Sequence, residues 1–232
     1  MKKDHSLIYK DRSIRNWPHR QRLKEIQSVI HKESLNEIKN LTYADIGCGT
    51  GYLTKIVANL LHPSKVFGFD HYSEHLKIAR SNYPSYQFEF LDLNKPSHIR
   101  RFDFVTCFET LEHVGDVYVA IDNLLSATKG GGILLITLPI EIGLVGIFKF
   151  LVKTVIYKYK LDELPGKSTQ LYNKYLLSLI MCKDMSKFRD QRSGWGTHFG
   201  FDYRRIDEYL KSQAVSFKVK NIVTTRFYVI KP

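Results

Sequence analysis

Apolar and polar positions alternate along residues 42–138 as short apolar runs separated by longer segments with helical spacing. The apolar runs predict strands at Thr42–Ile46, Lys65–Asp70, Tyr86–Leu91, Phe102–Phe108 and Gly132–Leu138. The segments between them predict helices at Tyr52–Leu61, Ser73–Ser81 and Asp116–Thr128. Strands that alternate with helices of this length are typical of a parallel sheet covered on both faces. The pattern therefore predicts an open α/β sheet.

The same spacing extends the prediction to both ends of the chain. We expect a helix at residues 20–39, two helices at Gly143–Lys160 and Gln170–Lys187, a further helix at Tyr203–Gln213, and strands at Ser216–Ile222 and Arg226–Ile230. This divides the chain into an N-terminal basic arm and helix (1–40), a core (41–139), a helical cap insertion with a loop (140–200), and a closing helix with strands (201–232).

The stretch Leu41–Thr54, LTYADIGCGTGYLT, places glycines at positions 47, 49 and 51 between a predicted strand and a predicted helix. Glycine allows positive φ and close approach of a ligand. A helix start adds unpaired N–H groups and a partial positive charge. Such a glycine motif is informative only between a strand and a helix, and here it has that position. The stretch therefore predicts a cradle for the polar part of a nucleotide-like ligand.

Parallel sheets of this kind bind ligands at the carboxyl ends of their strands. That rule places Gly47–Gly51, Asp70, Asp92 and Phe108–His113 at one edge of the fold. An acidic residue at the position of Asp70 accepts hydrogen bonds from ribose hydroxyls in nucleotide-binding folds. Asp92 has two interpretations: it bonds the exocyclic amine of an adenine, or it is a turn or helix-cap residue.

Five segments, ADIGCGTGYLT, VFGFD, FLDLN, FDFVTCFETLEHV and GGILLITLP, occur in this order over roughly residues 40–140. Their order and spacing resemble the class I S-adenosylmethionine-dependent methyltransferases, and the E-x-x-E-H segment resembles the ubiquinone-biosynthesis-type (methyltransferase type 11) O-methyltransferases. The resemblance implies a Rossmann-like, doubly wound, seven-stranded sheet with an antiparallel last strand. Here that sheet would carry a helical insertion after strand 5.

The resemblance also implies S-adenosylmethionine as cofactor and a set of residues that hold it. These are Asp45, Gly47, Cys48, Gly49, Gly51, Tyr52, Asp70, His71, Asp92, Leu93 and Phe108. In this scheme Asp45 and the glycines hold the methionine end, Asp70 the ribose, and Asp92 and Leu93 the adenine. His71 would lie against the adenine ring.

Methyl transfer to a hydroxyl requires alignment of the reactants and a base that takes the proton. Histidine exchanges a proton near neutral pH. We therefore name His113 and His198 as candidate catalytic residues, with Glu112 in support.

The E-x-x-E-H segment also resembles small-RNA 2′-O-methyltransferases, in which two Glu and two His hold a divalent metal. In this chain the set would be Glu109, Glu112, His113 and His198. We predict no metal, because the same segment occurs in relatives that bind none.

The net charge is +12, yet residues 42–140 carry −2 while residues 1–41, 141–190 and 191–232 carry +5, +4 and +5. This distribution allows two interpretations: the segments outside residues 42–140 meet an anionic partner, such as a phosphate-bearing acceptor, a membrane surface or nucleic acid, or they form a solvated basic face. The three cysteines are too few and scattered for a disulfide framework, and no apolar stretch reaches the ~18 residues of a membrane span. We expect a cytoplasmic monomer or homodimer.

Residues 143–160 allow three interpretations: a lid, a dimer interface, or a helix lying in a membrane interface. At ~100° per residue, Lys149, Lys153 and Lys160 fall within about 40° of each other, and most of the remaining surface is apolar. Membrane contact would make the localisation peripheral.

These observations predict O-methylation of a hydroxylated small molecule, glycan or lipid-linked intermediate. One alternative is an RNA 2′-O-methyltransferase, favoured by the charge but without a recognisable RNA-binding module. A second alternative is a non-catalytic, cofactor-binding partner subunit, which the intact glycine loop and Asp70 argue against.

Overall fold

A computed structural model describes residues 16–33, 35–156, 169–189, 194–196 and 200–232. Within these ranges, seven strands form one sheet in the order β3-β2-β1-β4-β5-β7-β6. The strands are β1 (Thr42–Ile46), β2 (Lys65–Asp70), β3 (Gln87–Phe90), β4 (Phe102–Phe108), β5 (Thr128–Pro139), β6 (Ser216–Ile222) and β7 (Thr225–Lys231).

The first five strands run parallel, and β7 runs antiparallel to both of its neighbours, β5 and β6. The prediction of a doubly wound, seven-stranded sheet with an antiparallel last strand is therefore confirmed. The strand order reverses between β1 and β4, and a crevice opens at such a switch point beyond the carboxyl ends of the strands. The fold thus places a ligand site beside β1 and β4.

Both faces of the central strands β1, β2 and β4 are buried, which explains why these strands are nearly continuous apolar runs. Neighbouring residues of β1 point to opposite faces: Ala44 packs in one cluster with Phe67 and Val105, and Tyr43 packs in the other with Phe104. The alternation of side chains along a strand thus supplies two cores from one sheet.

The helices are α1 (Trp17–Lys32), α2 (Tyr52–Leu61), α3 (Ser73–Asn82), α4 (Val117–Ser126), α5 (Gly143–Ile156), α6 (Thr169–Ile180) and α7 (Arg204–Ser212). The predicted helix at 20–39 begins earlier, because Pro18 occupies its first turn, and ends at Lys32. α4 begins after Asp116, whose carboxylate accepts hydrogen bonds from two N–H groups of the first turn.

The cap insertion consists of α5 and α6, which pack through Ile142, Phe150, Tyr175 and Leu179. The predicted second helix was too long, since α6 ends at Ile180 and the chain turns at Cys182 with φ of 48°. The predicted end of the first cap helix, at residues 157–160, lies outside the described residues. In the described part of the chain, no helix combines the length and apolarity needed to cross a membrane.

Candidate active site

A cavity of about 980 Å³ opens at the carboxyl ends of the central strands, between the sheet, α1 and α5. It is lined by most of the residues that the sequence predicted: Asp45, Gly47, Cys48, Gly49, Tyr52, Asp70, His71, Leu93, Phe108, Glu109, Glu112 and His113. Gly51 and Asp92 lie outside the cavity wall, and His198 lies outside the described residues. The topology therefore gathers residues far apart in the sequence into one site.

The glycine loop packs tightly against the loop after β4. Gly47 has φ of +83°, and a Cβ on it would lie 2.1 Å from Thr110 Oγ1. Gly49 has φ of +54°, but a Cβ there would meet no atom within 4 Å. Gly51 precedes α2, and its close neighbours are Tyr83 and Phe88, so its role is to turn the chain and not to contact the cavity.

Asp70 closes the glycine loop from the end of β2. Its two carboxylate oxygens accept hydrogen bonds from the N–H groups of Gly49 and Tyr72, each at 2.8 Å. Both oxygens keep a second lone pair, and the residue lines the cavity. Asp70 is therefore placed to accept hydroxyl donors from a ligand.

Asp92 is engaged in its own turn. Its Oδ1 accepts hydrogen bonds from the N–H and the side-chain amide of Asn94, at 3.1 and 3.2 Å. Lys95 lies 3.5 Å from Oδ2. These contacts hold the pKa of Asp92 below its ordinary value, against the opposing effect of burial, which is the largest single contribution. These contacts give Asp92 the predicted turn role, and its contact with an adenine stays a prediction.

Asp45 is a buried carboxylate beneath the glycine loop. It accepts hydrogen bonds from Thr54 Oγ1 at 2.6 Å and Thr106 Oγ1 at 2.7 Å, which join α2 and β4 to β1. Burial raises its pKa to about 6, although both hydroxyls act in the opposite direction. A positively charged ligand group beside Asp45 would relieve this cost.

Three glutamates line the opposite part of the cavity. Glu109 Oε2 is 2.9 Å from Arg22 Nη2 of α1, and Glu141 Oε1 is 2.5 Å from Lys149 Nζ of α5. Glu112 is only 2% exposed, and burial, reinforced by the charge of Glu109, raises its pKa well above the ordinary value. Among the described residues, neither Glu112 Oε2 nor Glu109 Oε1 has a hydrogen-bond partner.

His113 lines the cavity, and one of its ring nitrogens has a defined hydrogen-bond partner. Its Nδ1 is 2.9 Å from the carbonyl oxygen of Gly196, and its Nε2 is 3.9 Å from Glu112 Oε1. Since a carbonyl only accepts, Nδ1 carries the proton, and Nε2 is the acceptor in the neutral ring. We call Asp45, Gly47–Gly49, Asp70 and His71 the cofactor half, and Glu109, Glu112, His113, Glu141 and Lys149 the acceptor half.

Glu109, one of the four predicted metal ligands, already forms an ion pair with Arg22, and this pairing competes with metal binding. Within the described ranges, no group of three or more His, Cys, Asp or Glu side chains is arranged to hold a metal ion. His198, the fourth member of the set, is outside those ranges.

Four residues that line the cavity were not among the predicted site residues: Glu141, Lys149, Arg22 and Trp195. Glu141 follows β5 directly, so the rule for the carboxyl ends of strands would have placed it here. Lys149 would face outward only in the membrane interpretation of this helix; in the structure it lines the cavity and pairs with Glu141. Arg22 and Trp195 line the cavity from distant segments, which helical spacing and glycine content do not locate.

The cavity fits a nucleotide-like cofactor with a cationic end. Asp45 and Asp70 line the cavity together with the glycine backbone, and Gly49 leaves open space where a side chain would otherwise project. The volume lies near the top of the range of roughly 300–1,000 Å³ for ligand sites. The acceptor half therefore leaves room for a second molecule. A strand-end cavity with these features is typical of an α/β fold that binds a nucleotide-like ligand.

A family profile described as "Methyltransferase domain" matches residues 17–145, more than half of the chain. The chain therefore belongs to this family of methyltransferase domains. A solved structure, the magnesium protoporphyrin IX methyltransferase from Synechocystis PCC 6803 with bound SAH, aligns with a TM-score of 0.58 over 98% of this chain and 92% of its own. At 15% identity, that similarity shows the fold.

The chain is also similar to curated enzymes. The ubiquinone biosynthesis O-methyltransferase of Hydrogenovibrio crunogenus is 32% identical over 106 residues, 43% of each chain. The enzyme of the same name from Actinobacillus pleuropneumoniae serotype 5b is 28% identical over 167 residues, 67% of this chain and 68% of its own. The chain covers less than half the length of three other matches, namely 42% of a putative methyltransferase of Invertebrate iridescent virus 6, 43% of the Hydrogenovibrio crunogenus enzyme and 40% of a malonyl-[acyl-carrier protein] O-methyltransferase of Acetivibrio thermocellus.

Proposed function

We propose that this chain transfers a methyl group from S-adenosylmethionine to a hydroxyl oxygen of a small molecule, glycan or lipid-linked intermediate. The observation that carries the proposal is the 2.9 Å contact between His113 Nδ1 and the Gly196 carbonyl. It leaves Nε2 as the proton acceptor of the neutral ring. A hydroxyl loses its proton as its oxygen is methylated, and a histidine in this tautomer can take that proton.

The cofactor supplies an electrophilic methyl group on a sulfonium sulfur. For its binding we propose that Asp45 faces the ammonium group and Asp70 the ribose hydroxyls. The backbone of Gly47–Gly49 gives close approach, and His71 and Leu93 lie on the adenine side. The buried charge of Asp45 supports this assignment, because a cation is the group that such a carboxylate attracts.

The acceptor half supports a hydroxylated acceptor. Within the described part of the chain, Glu109 Oε1 and Glu112 Oε2 are buried without a hydrogen-bond donor, and hydroxyl groups are donors. Arg22 and Lys149 are each paired with a glutamate, so they are not reserved for an anion. The predicted anionic character therefore rests on the positive charge outside residues 42–140, and His198 stays a predicted catalytic residue.

An apolar part of the acceptor would find a surface on α5. Leu144, Phe148 and Leu151 are exposed at helical spacing, and Phe148 also lines the cavity. This supports an acceptor that carries an apolar group, such as a lipid-linked intermediate. Peripheral membrane contact through residues 143–160 stays a prediction, now with Lys149 directed to the cavity and not to headgroups.

The test is transfer of labelled methyl from S-adenosylmethionine into a fractionated extract of the source cells, with the methylated atom identified by mass spectrometry and NMR. We compare the wild type with His113→Asn. The control is His62→Asn, which replaces another histidine at a left-handed position that Asn tolerates. We expect His113→Asn to lower the rate by roughly 10²–10⁴-fold with unchanged cofactor binding, and His62→Asn to leave both unchanged.

The outcomes separate the alternatives. Label on oxygen in the lipid, glycan or small-molecule fraction supports the proposal. Label in RNA favours the 2′-O-methyltransferase alternative. Cofactor binding without transfer into any fraction overturns the enzymatic proposal and favours a non-catalytic subunit, and a fully active His113→Asn variant removes His113 as the base.

A further inference from the structure

The short segment Gly194–Gly196 contacts both halves of the cavity, and we call it the latch. The ring of Trp195 stacks on the ring of His71, with 3.6 Å between centroids and 8° between planes. In the next residue, the Gly196 carbonyl lies 2.9 Å from His113 Nδ1, and the Gly196 N–H donates to the His113 carbonyl at 2.9 Å. Two consecutive residues thus contact the cofactor half and the acceptor half.

Backbone contacts hold the latch in register with the loop that carries His113. Trp195 forms an isolated antiparallel bridge with Val114. A Cβ on Gly115 would lie 2.9 Å from the carbonyl oxygen of Gly194, so the two backbones touch at this point. Trp195 and Gly196 are adjacent in this register, so the aromatic stack and the Gly196 carbonyl belong to one segment held by the same backbone contacts.

We propose that the latch is a positioning element that couples the cofactor half to His113, because the stack of Trp195 on His71 holds the Gly196 carbonyl on His113 Nδ1. This inference rests on the proposed function, in which His113 takes the acceptor proton.

The tautomer of His113 is the property that the latch controls. With a carbonyl on Nδ1, the ring keeps its proton there and leaves Nε2, which lies 3.9 Å from Glu112 Oε1, as the acceptor nitrogen. Without that carbonyl, both neutral tautomers are populated, and only one of them is a base at Nε2. A cofactor bound beside His71 would contact the stack of Trp195 on His71. We therefore expect its binding to change the hydrogen bond between His113 Nδ1 and the Gly196 carbonyl.

The readout is the tautomer itself, measured in protein with ¹⁵N-labelled histidine from the ring nitrogen shifts of His113, without ligand and with S-adenosylhomocysteine. Trp195→Leu breaks the stack, Trp195→Phe keeps an aromatic ring, and Trp17→Leu is the matched control on α1. We expect Trp195→Leu to lower the ratio of the Nδ1–H to the Nε2–H tautomer by about two- to tenfold, the effect of one aromatic contact or one hydrogen bond. Trp195→Phe should restore most of the ratio, and Trp17→Leu should not change it.

His71→Ala provides a second test, because it removes the stack from the other side and leaves the latch sequence intact. We expect it to shift the ratio in the same direction as Trp195→Leu. An unchanged ratio in His71→Ala, or in a folded Trp195→Leu, overturns the proposal.

The two proposals fail in different ways. If the protein transfers methyl groups but its His113 tautomer ratio is the same in the Trp195 and His71 variants, the latch proposal is wrong and the proposed function stands. If the tautomer ratio changes in these variants but the protein transfers no methyl group, the coupling by the latch stands and the role of His113 as a base is wrong.

Discussion

The charge of Asp45 should make the ligand-free protein less stable than a variant without it. Asp45 is buried beneath the glycine loop, and burial raises its pKa from 3.8 to about 6. Replacement by Asn keeps the size of the side chain and removes the charge. The amide oxygen can accept from one of the two threonine hydroxyls, and the amide N–H₂ can donate to the other.

The magnitude follows from the linkage between protonation and folding. The native carboxyl binds its proton more tightly than the unfolded one, so the wild type loses stability as pH rises from 3.8 through about 6. At about 1.36 kcal/mol for each pH unit, the loss at pH 7.5 is about 3 kcal/mol. We therefore expect Asp45→Asn to be more stable than the wild type by about 1–3 kcal/mol at pH 7.5 and by nearly nothing at pH 4.

Urea denaturation of both proteins at several pH values between 4 and 7.5 measures this difference. The control is Asp103→Asn: hydrogen bonds from Thr42 and Lys129 lower the pKa of Asp103 against burial, so that variant should lose stability near neutral pH and recover in acid. Calorimetry should show that Asp45→Asn binds S-adenosylmethionine at least about tenfold more weakly. A variant less stable than the wild type at pH 7.5, or a stability difference independent of pH, would refute the reasoning.

Other predictions concern neighbouring residues. Gly47→Ala should destabilise the fold by about 1–3 kcal/mol in urea denaturation, because of its φ of +83° and the close loop after β4, whereas Gly49→Ala, with open space, should cost less. Equal costs would contradict the packing argument. Asp70→Ala should weaken S-adenosylmethionine binding in calorimetry by at least about tenfold, and Asp92→Ala by less than about twofold. If both have the same effect, the ribose assignment is wrong. Arg189→Met removes a guanidinium that donates to two carbonyls of the loop carrying His113, and should cost about 1–3 kcal/mol of unfolding free energy. A loss below about 0.5 kcal/mol would mean that water replaces those bonds.

The loop after β4, which carries Glu109, Glu112 and His113, shows how much of the site could be predicted from the sequence. Local spacing placed Glu109, Glu112 and His113 after β4, and the strand-end rule brought them to the same cavity as the glycine loop. Their partners were out of reach, because Arg22 and Gly196 meet this loop from opposite ends of the chain. No local pattern encodes those contacts.

Lys149 illustrates the limit within a single helix. Its spacing from the other lysines fits an outward face, but an ion pair with a buried glutamate turns it inward. Helical periodicity reports average polarity around a helix, whereas the direction of one side chain depends on the partner that packing brings to it.

The sequence by itself determined the sheet, the glycine cradle and the acidic residue at the end of β2. Those features depend on local periodicity, on the φ angles open to glycine, and on the chain direction of parallel strands. Only the tertiary structure decided the raised pKa of Asp45, the pairing of the glutamates and the tautomer of His113. These depend on burial and on contacts between residues far apart in the chain, and both arise only when the sheet, the N-terminal helix and the cap pack together.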